Sequence, residues 1–175
     1  MAWFKENAPA YNIDIEHIGV VGSSAGGHLA ALLCTLLPED DLGKPPELKV
    51  ADTQPKACVC FNPVTDLTAE IELEPFFETL FGCKKMENPA LYKTASPALR
   101  ITGKEPPFLF PHSITDTVTP FRISQDMAKR LQAVGVEARV VTIQNQAHGF
   151  AYQLGNAEQK RCSIEVLAFL NKHLK

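Results

Sequence analysis

A pentapeptide of small residues, GSSAG at positions 22–26, sets Ser24 two residues from a glycine on each side. A serine hydroxyl can attack an acyl group once a base removes its proton, and a tight turn built from small residues exposes such a hydroxyl. In that turn the N–H of Ala25 and the N-terminus of the following helix face the negative charge that develops on the attacked oxygen. A glycine-rich turn that only caps a helix gives the same pattern. The motif makes Ser24 a candidate nucleophile and Ala25 a candidate oxyanion donor.

A nucleophilic serine works with a histidine base and with a carboxylate that orients the histidine. Asp116 and His148 follow Ser24 in that order, and each comes just after an apolar segment typical of a strand. Catalytic groups gather at the carboxyl ends of parallel strands, so these side chains can meet there. Asp66, which follows another such segment, remains the alternative carboxylate. The sequence therefore predicts a triad of Ser24, His148 and Asp116.

The other four histidines are weaker candidates for the base. His28 lies in the helix after the motif, and His112 precedes the carboxylate. His17 precedes a strand, and His173 lies in the last helix. The histidines are scattered and the sequence has no H-E-x-x-H, no C-x-x-C and no glycine-rich phosphate loop, so neither a metal nor a nucleotide cofactor is expected.

Strands and helices alternate along the chain. Apolar runs between turn-forming residues predict strands at 18–21, 57–61, 108–111 and 138–143. Apolar residues at helical spacing predict helices at 2–8, 25–37, 123–134 and 158–174. The buried face of the second helix is expected to be leucine-rich: Leu29, Leu32, Leu33, Leu36 and Leu37. This alternation predicts an α/β fold in which a mainly parallel sheet carries helices on both faces.

The domain organisation follows from length and local composition. A chain of 175 residues is expected to form one domain over 1–175. Within it, 62–106 is expected to be an irregular insertion above the core, with a short amphipathic piece at 73–81. Such excursions often form lids or substrate walls. Residues 38–56, rich in proline and charge, predict a surface loop.

Composition excludes several classes of function. A chain with 45% hydrophobic residues, 21% charged residues and a mean hydropathy of -0.06 is typical of a globular protein. Its net charge of -3 offers no basic surface field for nucleic acid. No apolar run approaches the roughly 20 residues of a membrane span, and the first residues do not resemble a secretory signal. Five irregularly spaced cysteines predict free thiols. We therefore expect a cytoplasmic protein with no nucleic-acid partner and no membrane span.

Several segments resemble one family. IGVVGSSAGGHLAALL at 18–33 is similar to the nucleophile region of hormone-sensitive-lipase-like and acetyl-xylan-esterase-like α/β-hydrolases. SPA at 96–98, PPFLFPHSITDTVTPF at 106–121 and AHGF at 147–150 resemble later regions of the same family. The order serine, aspartate, histidine is also that of α/β-hydrolases. The resemblance covers nearly the whole chain.

The resemblance implies a role for each candidate residue. Ser24 would be the nucleophile, His148 the general base and then acid, Asp116 the group that fixes the imidazole, and the Ala25 N–H one oxyanion donor. The substrates would be short-chain carboxylic esters, including acetyl esters of carbohydrates. A cofactor-independent serine esterase that forms an acyl-enzyme is therefore expected. A serine peptidase of the prolyl-oligopeptidase type and a non-catalytic hydrolase-like interaction protein remain the alternatives.

One departure from the family concerns the beginning of the chain. Family members have further strands before the nucleophile strand, and the loop after one of them carries an H-G-G-G run that supplies a second oxyanion donor. This sequence contains no such run. We therefore expect an abbreviated α/β-hydrolase fold in which the strand at 18–21 has an open edge. An apolar open edge pairs readily with another chain, so a homodimer is expected.

Overall fold

A computed structural model describes residues 1–37, 40 and 54–175. The strands are β1 (Gly19–Ser23), β2 (Ala57–Phe61), β3 (Phe108–Ser113) and β4 (Ala138–Ile143). The α-helices are α1 (Ala2–Tyr11), α2 (Ala25–Cys34), α3 (Glu74–Phe81), α4 (Pro89–Thr94), α5 (Phe121–Ala133) and α6 (Ala157–His173). Short 3-10 turns lie at Ile15–His17, Pro97–Leu99 and Phe150–Tyr152.

The four strands form one parallel sheet in the order β1-β2-β3-β4. All four carboxyl ends therefore lie along the same edge of the sheet, where the loops that follow them converge. Within the described residues, β1 pairs with β2 alone and forms one side of the sheet. The side chain of Val21, in the middle of β1, is 52% exposed.

Helices cover both faces of the sheet, because successive strand residues point to opposite sides. One face packs against α2 and α5, through the strand residues Cys58, Cys60, Phe108 and Phe110. The other face packs against α6, through the strand residues Ala57, Val59, Leu109, Val141 and Ile143. The prediction of an α/β fold with a parallel sheet between helices is confirmed.

The expected leucine face of the second helix is wrong. The helix ends at Cys34 rather than at residue 37, and Leu29 is 62% exposed. Its buried residues are instead small: Gly27, Ala30, Ala31 and Cys34. The reason is the distance between helix and sheet. The helix starts directly after the tight turn that ends β1, so it runs close to the strands and has no room for leucine on that side.

Other boundaries shift by a few residues. The first helix runs to Tyr11 with Pro9 inside it, β1 runs over 19–23, and β3 continues to Ser113. The expected irregular segment 62–106 contains α3 and α4, which share a small apolar core: Val64, Leu67, Phe77 and Tyr92. The loop expected at 38–56 lies mostly outside the described residues.

Two further observations concern the cysteine thiols and the helices that could span a membrane. All five cysteines are free thiols, although the Sγ atoms of Cys58 and Cys60 lie 3.3 Å apart. Among residues 1–37 and 54–175, no helix has both the length and the apolar character needed to cross a bilayer.

Candidate active site

The turn between β1 and α2 holds Ser24 in an unusual backbone conformation. Its φ of 55° and ψ of -121° lie outside the regions that a serine ordinarily adopts, so the surrounding structure must hold it there. The Ser24 N–H donates to the carbonyl of Phe61 at the end of β2 (2.9 Å), and the Ser24 carbonyl accepts from the His28 N–H (2.9 Å). The strained turn is thus fixed both to the sheet and to the helix.

The three glycines of this turn differ in what surrounds them. A Cβ atom on Gly22 would lie 2.1 Å from the carbonyl oxygen of Gly26, which is a steric clash with backbone. A Cβ on Gly27 would lie 3.1 Å from the carbonyl oxygen of Phe61, so the backbone on one side would have to shift by a few tenths of an ångström. A Cβ on Gly26 would meet no described atom within 4 Å. The close approach of helix to strand therefore depends on Gly22 and Gly27.

Ser24, His148 and Asp116 form one row of hydrogen bonds. The Ser24 hydroxyl lies 2.8 Å from His148 Nε2, and His148 Nδ1 lies 2.8 Å from Asp116 Oδ2. Ser24 follows β1, Asp116 follows β3 and His148 follows β4, so all three lie at the carboxyl edge of the sheet. In this arrangement Nδ1–H donates to the carboxylate, which leaves Nε2 free to accept the serine proton.

The Asp116 carboxylate is fully buried and held from two sides. Its Oδ1 accepts the backbone N–H groups of Val118 and Thr119, each at 2.9 Å, while Oδ2 accepts from His148. Burial by itself raises the pKa of this carboxyl, but the hydrogen bonds from Thr119, His148 and Val118 outweigh burial and the pKa lies below its ordinary value. Asp116 is therefore ionised throughout the range in which an ordinary imidazole titrates.

The alternative carboxylate makes local contacts instead. Asp66 Oδ1 accepts the backbone N–H (2.9 Å) and the hydroxyl (2.6 Å) of Thr68, which closes a turn after β2. None of its described hydrogen bonds reaches His148. The position of this carboxylate therefore favours a structural role.

The remaining histidines are engaged elsewhere. His28 Nδ1 donates to the Val64 carbonyl (2.8 Å), and burial lowers the pKa of His28 although that carbonyl opposes the shift. His112 donates from Nε2 to the Thr119 carbonyl (2.9 Å) and accepts the Ser124 hydroxyl at Nδ1 (2.7 Å). Burial likewise lowers the pKa of His112, although the Thr119 carbonyl and the nearby carboxylate oppose the shift. Both rings are therefore neutral and structural.

The two other histidines lie beside carboxylates away from Ser24: His17 Nδ1 is 2.7 Å from Asp14 Oδ2 at an exposed position, and His173 Nε2, on a side chain only 14% exposed, is 3.4 Å from Glu137 Oε1. Among the described residues, no three histidine, cysteine, aspartate or glutamate side chains are arranged to hold a metal ion.

Two residues near the triad were missed in the sequence. The Asn62 amide nitrogen lies 3.2 Å from His148 Nδ1, and the Thr119 hydroxyl lies 3.3 Å from the same atom. Asn62 follows β2 directly, so its place at a strand end was a usable signal. Thr119 lies in an irregular loop, where nothing in the sequence pattern marks it.

An apolar pocket of about 320 Å³ opens beside the Ser24 hydroxyl. The loop after β2, the helix α3 and Val118 form its wall. The apolar residues of the loop and of α3 that line it are Val64, Leu67, Leu73, Phe76, Phe77 and Leu80. Phe76 and Leu80 are 61% and 64% exposed, so the outer rim is apolar too. The pocket suits an apolar group attached to the atom that Ser24 attacks.

Comparisons with known proteins identify a family and several relatives of the chain. The family model BD-FAE matches residues 1–131. Esterase LipQ of Mycobacterium tuberculosis is 33% identical over 140 residues, which is 77% of this chain and 33% of the relative. The probable carboxylic ester hydrolase LipM of the same organism is 30% identical over 177 residues, which is 97% of this chain and 40% of the relative.

Solved structures give the same result. Esterase 2 of Thermogutta terrifontis, in its apo form, superposes with a TM-score of 0.76 at 30% identity, covering 98% of this chain and 61% of that one. An acetyl ester-xyloside bifunctional hydrolase of Caldicellulosiruptor lactoaceticus superposes with a TM-score of 0.78 at 29% identity, covering 96% and 63%.

The chain spans 33% to 44% of the length of the curated relatives it matches. The resemblance to α/β-hydrolase esterases is confirmed by these relatives and neighbours. Because the family model covers residues 1–131, which is most of the sequence, the chain belongs to the BD-FAE family and has an α/β-hydrolase fold.

Proposed function

We propose that this chain is a serine hydrolase that cleaves short-chain carboxylic esters through an acyl-enzyme. The observation that carries the proposal is the unbroken row of hydrogen bonds from Ser24 through His148 to Asp116, with 2.8 Å at each step. Relatives and structural neighbours named as esterases support the same reaction class. A short-chain acid is also supported by one such neighbour, the Thermogutta terrifontis esterase, which has been solved with butyrate bound.

The reaction follows from the positions of the three side chains. His148 Nε2 takes the hydroxyl proton as Ser24 Oγ bonds to the ester carbon, and Asp116 holds the ring while it is charged. The charged ring then gives its proton to the leaving alkoxide, so an alcohol departs and the acyl group stays on Oγ. Water attacks the acyl carbon next, with the same nitrogen taking its proton. Return of that proton to Oγ releases the acid.

The negative charge on the carbonyl oxygen falls at the start of α2. Ala25 is the first residue of that helix, where backbone N–H groups have no partner within the helix. The N–H of Ala25 is therefore our proposed oxyanion donor, supported by the positive end of the helix dipole.

Chain length of the acyl group should control the rate. Each methylene that enters the pocket contributes about 0.8 kcal/mol, so kcat/KM for p-nitrophenyl esters should rise about fourfold per added carbon from acetate to butyrate. Leu80→Ala, on the exposed wall of α3, should flatten this slope. Leu167→Ala, an equally exposed leucine on α6, is the matched control and should keep the slope. A rate that is highest for acetate in every variant would contradict the assignment of the pocket.

Acetyl esters of carbohydrates are the second candidate substrate. They are favoured by the neighbour named as an acetyl ester-xyloside bifunctional hydrolase. The apolar lining beside Ser24 offers few partners for sugar hydroxyls, so the sugar would have to lie outside the pocket. Acetate release from acetylated xylan, compared with hydrolysis of p-nitrophenyl butyrate, separates the two substrates.

Two other classes of function can be tested with the same preparation. A prolyl-oligopeptidase-type peptidase would cleave an aminoacyl anilide faster than p-nitrophenyl butyrate. An interaction protein that keeps the triad without turnover would cleave neither. Preferred cleavage of the ester supports the esterase.

We further propose that the chain forms a two-fold dimer through β1. Support comes from the apolar side of the sheet that β1 forms within the described residues, and from exposed Trp3 and Phe4 on α1. Light scattering after size exclusion at micromolar concentration should give the dimer mass, and Val21→Lys should give the monomer mass. Ile164→Lys, on an exposed face of α6, is the control and should remain dimeric. A monodisperse wild-type monomer would contradict the dimer.

We propose a cytoplasmic location as well. The support is chemical: all five cysteines are free thiols, as expected in a reducing compartment.

A further inference from the structure

Asn62 is held firmly at the end of β2, between the strands that carry Ser24 and Asp116. Its side chain is fully buried. Its N–H donates to the Pro111 carbonyl (3.0 Å), and its carbonyl accepts the Thr119 hydroxyl (3.2 Å). Its φ of 36° lies in the left-handed region, which asparagine tolerates better than most residues. The backbone therefore fixes where the Asn62 side chain begins.

The side-chain amide lies against the imidazole of His148. Its nitrogen is 3.2 Å from Nδ1 and 3.4 Å from Nε2, so it is almost equally far from both ring nitrogens. The in-plane positions of these nitrogens are already taken, one by the Asp116 carboxylate and the other by the Ser24 hydroxyl. The amide therefore contacts the ring on its face.

The other end of the amide has no partner among the described residues. Asn62 Oδ1 is buried and accepts no hydrogen bond. A buried unpaired oxygen is costly, and an apolar side chain of similar size would avoid that cost. The left-handed backbone explains why asparagine or glycine stands here, but it does not explain an amide packed on the ring.

We propose that Asn62 is a positioning residue that keeps the His148 ring in line between Ser24 and Asp116. The inference rests on the proposed hydrolase function and assigns the ring a third support besides its two hydrogen bonds. The amide packs on the ring face and prevents the ring from tipping while Nε2 takes up and releases the serine proton. The proton on Nδ1 therefore stays directed at Asp116. Misplacement of a catalytic group by about 1 Å can cost on the order of 10² in rate, so this support has a measurable effect.

Asn62→Gly tests the proposal, because glycine keeps the left-handed backbone and removes only the amide. We expect kcat for p-nitrophenyl butyrate to fall roughly 10- to 100-fold with KM unchanged. The ¹⁵N shifts of labelled histidine should change from one tautomer, protonated on Nδ1, to a mixture of two. Asn12→Gly, which replaces another left-handed asparagine at the end of α1, is the matched control and should alter neither.

The outcomes separate the roles open to Asn62. Unchanged kcat and an unchanged single tautomer in Asn62→Gly would overturn the proposal and leave asparagine a purely backbone role. A raised KM with unchanged kcat would also overturn it, because the amide would then act on the substrate. If the wild-type protein hydrolyses no ester, the proposed function fails, and the tautomer measurement still decides whether Asn62 positions the ring.

Discussion

Ser24→Ala should leave the folded protein unlabelled by a fluorophosphonate probe and should lower ester turnover by a factor on the order of 10⁶. Fluorophosphonates react with a serine hydroxyl that a base has activated, and the Ser24 hydroxyl lies 2.8 Å from His148 Nε2. The wild-type protein should carry one adduct, which mass spectrometry of its peptides would map to the turn between β1 and α2. Circular dichroism should show that the variant keeps its fold.

Ser23→Ala is the matched control for this experiment. Ser23 lies in the same peptide, and its buried hydroxyl has no hydrogen-bond partner among the described residues. Its replacement should leave labelling unchanged. Persistent labelling of the Ser24→Ala protein, at Ser23 or at Ser113, would mean that the nucleophile is wrongly assigned.

Asp116→Asn should cost on the order of 10⁴ in turnover, the loss expected when the carboxylate that fixes the imidazole is removed from a triad. An amide at this position can donate to His148 Nδ1 and so favours the tautomer that cannot accept the serine proton. KM should change little, because Asp116 is buried behind the ring and does not line the pocket. Steady-state kinetics with p-nitrophenyl butyrate measures both quantities.

Asp66→Asn is the control for the carboxylate, and it should change turnover little because Asp66 only closes a turn with Thr68. A larger loss in Asp66→Asn than in Asp116→Asn would reverse the assignment. In the wild-type protein the rate should rise with pH, because only a neutral imidazole can accept the serine proton. Because the Asp116 pKa lies below its ordinary value, ionisation of this carboxylate adds no second step to the pH profile of the rate above the ordinary aspartate pKa. Its contribution to stability is present above the ordinary aspartate pKa and is lost as the pH falls through the lowered value.

The sheet could be predicted because its signal is local. The strand β2 is a continuous apolar run typical of a buried parallel strand, β4 is mostly apolar but exposes Arg139 and Thr142, and both strands begin and end where the sequence places them. In a parallel sheet the loops that follow the strands converge at one edge. Ser24, Asp116 and His148, which each follow a strand, could therefore be chosen from the sequence without knowing that their side chains touch. The structure brings these three side chains together.

Features that depend on packing could not be predicted. The spacing of the leucines in α2 is typical of a buried face. Leu29 is nevertheless exposed, because α2 lies too close to the sheet to hold leucine on its inner side, and hydrophobicity alone does not reveal that distance. The contact of Asn62 with the His148 ring joins two residues that lie 86 positions apart in the sequence, and Asn62 belongs to no motif. Within 62–106, α3 coincides with the amphipathic piece expected at 73–81, whereas α4 has only six residues, too few to show an apolar periodicity.

The three glycines of the turn also bear on how relatives of this chain are found. A search for G-x-S-x-G requires glycine at positions 22 and 26, whereas the packing leaves least room for a side chain at 22 and 27. A pattern written from the packing is therefore G-x-S-x-x-G. Among the described atoms there is room for a Cβ at position 26, and alanine suits a helix better than glycine by up to about 1 kcal/mol. Homologues with alanine there would keep the same turn and escape the usual motif.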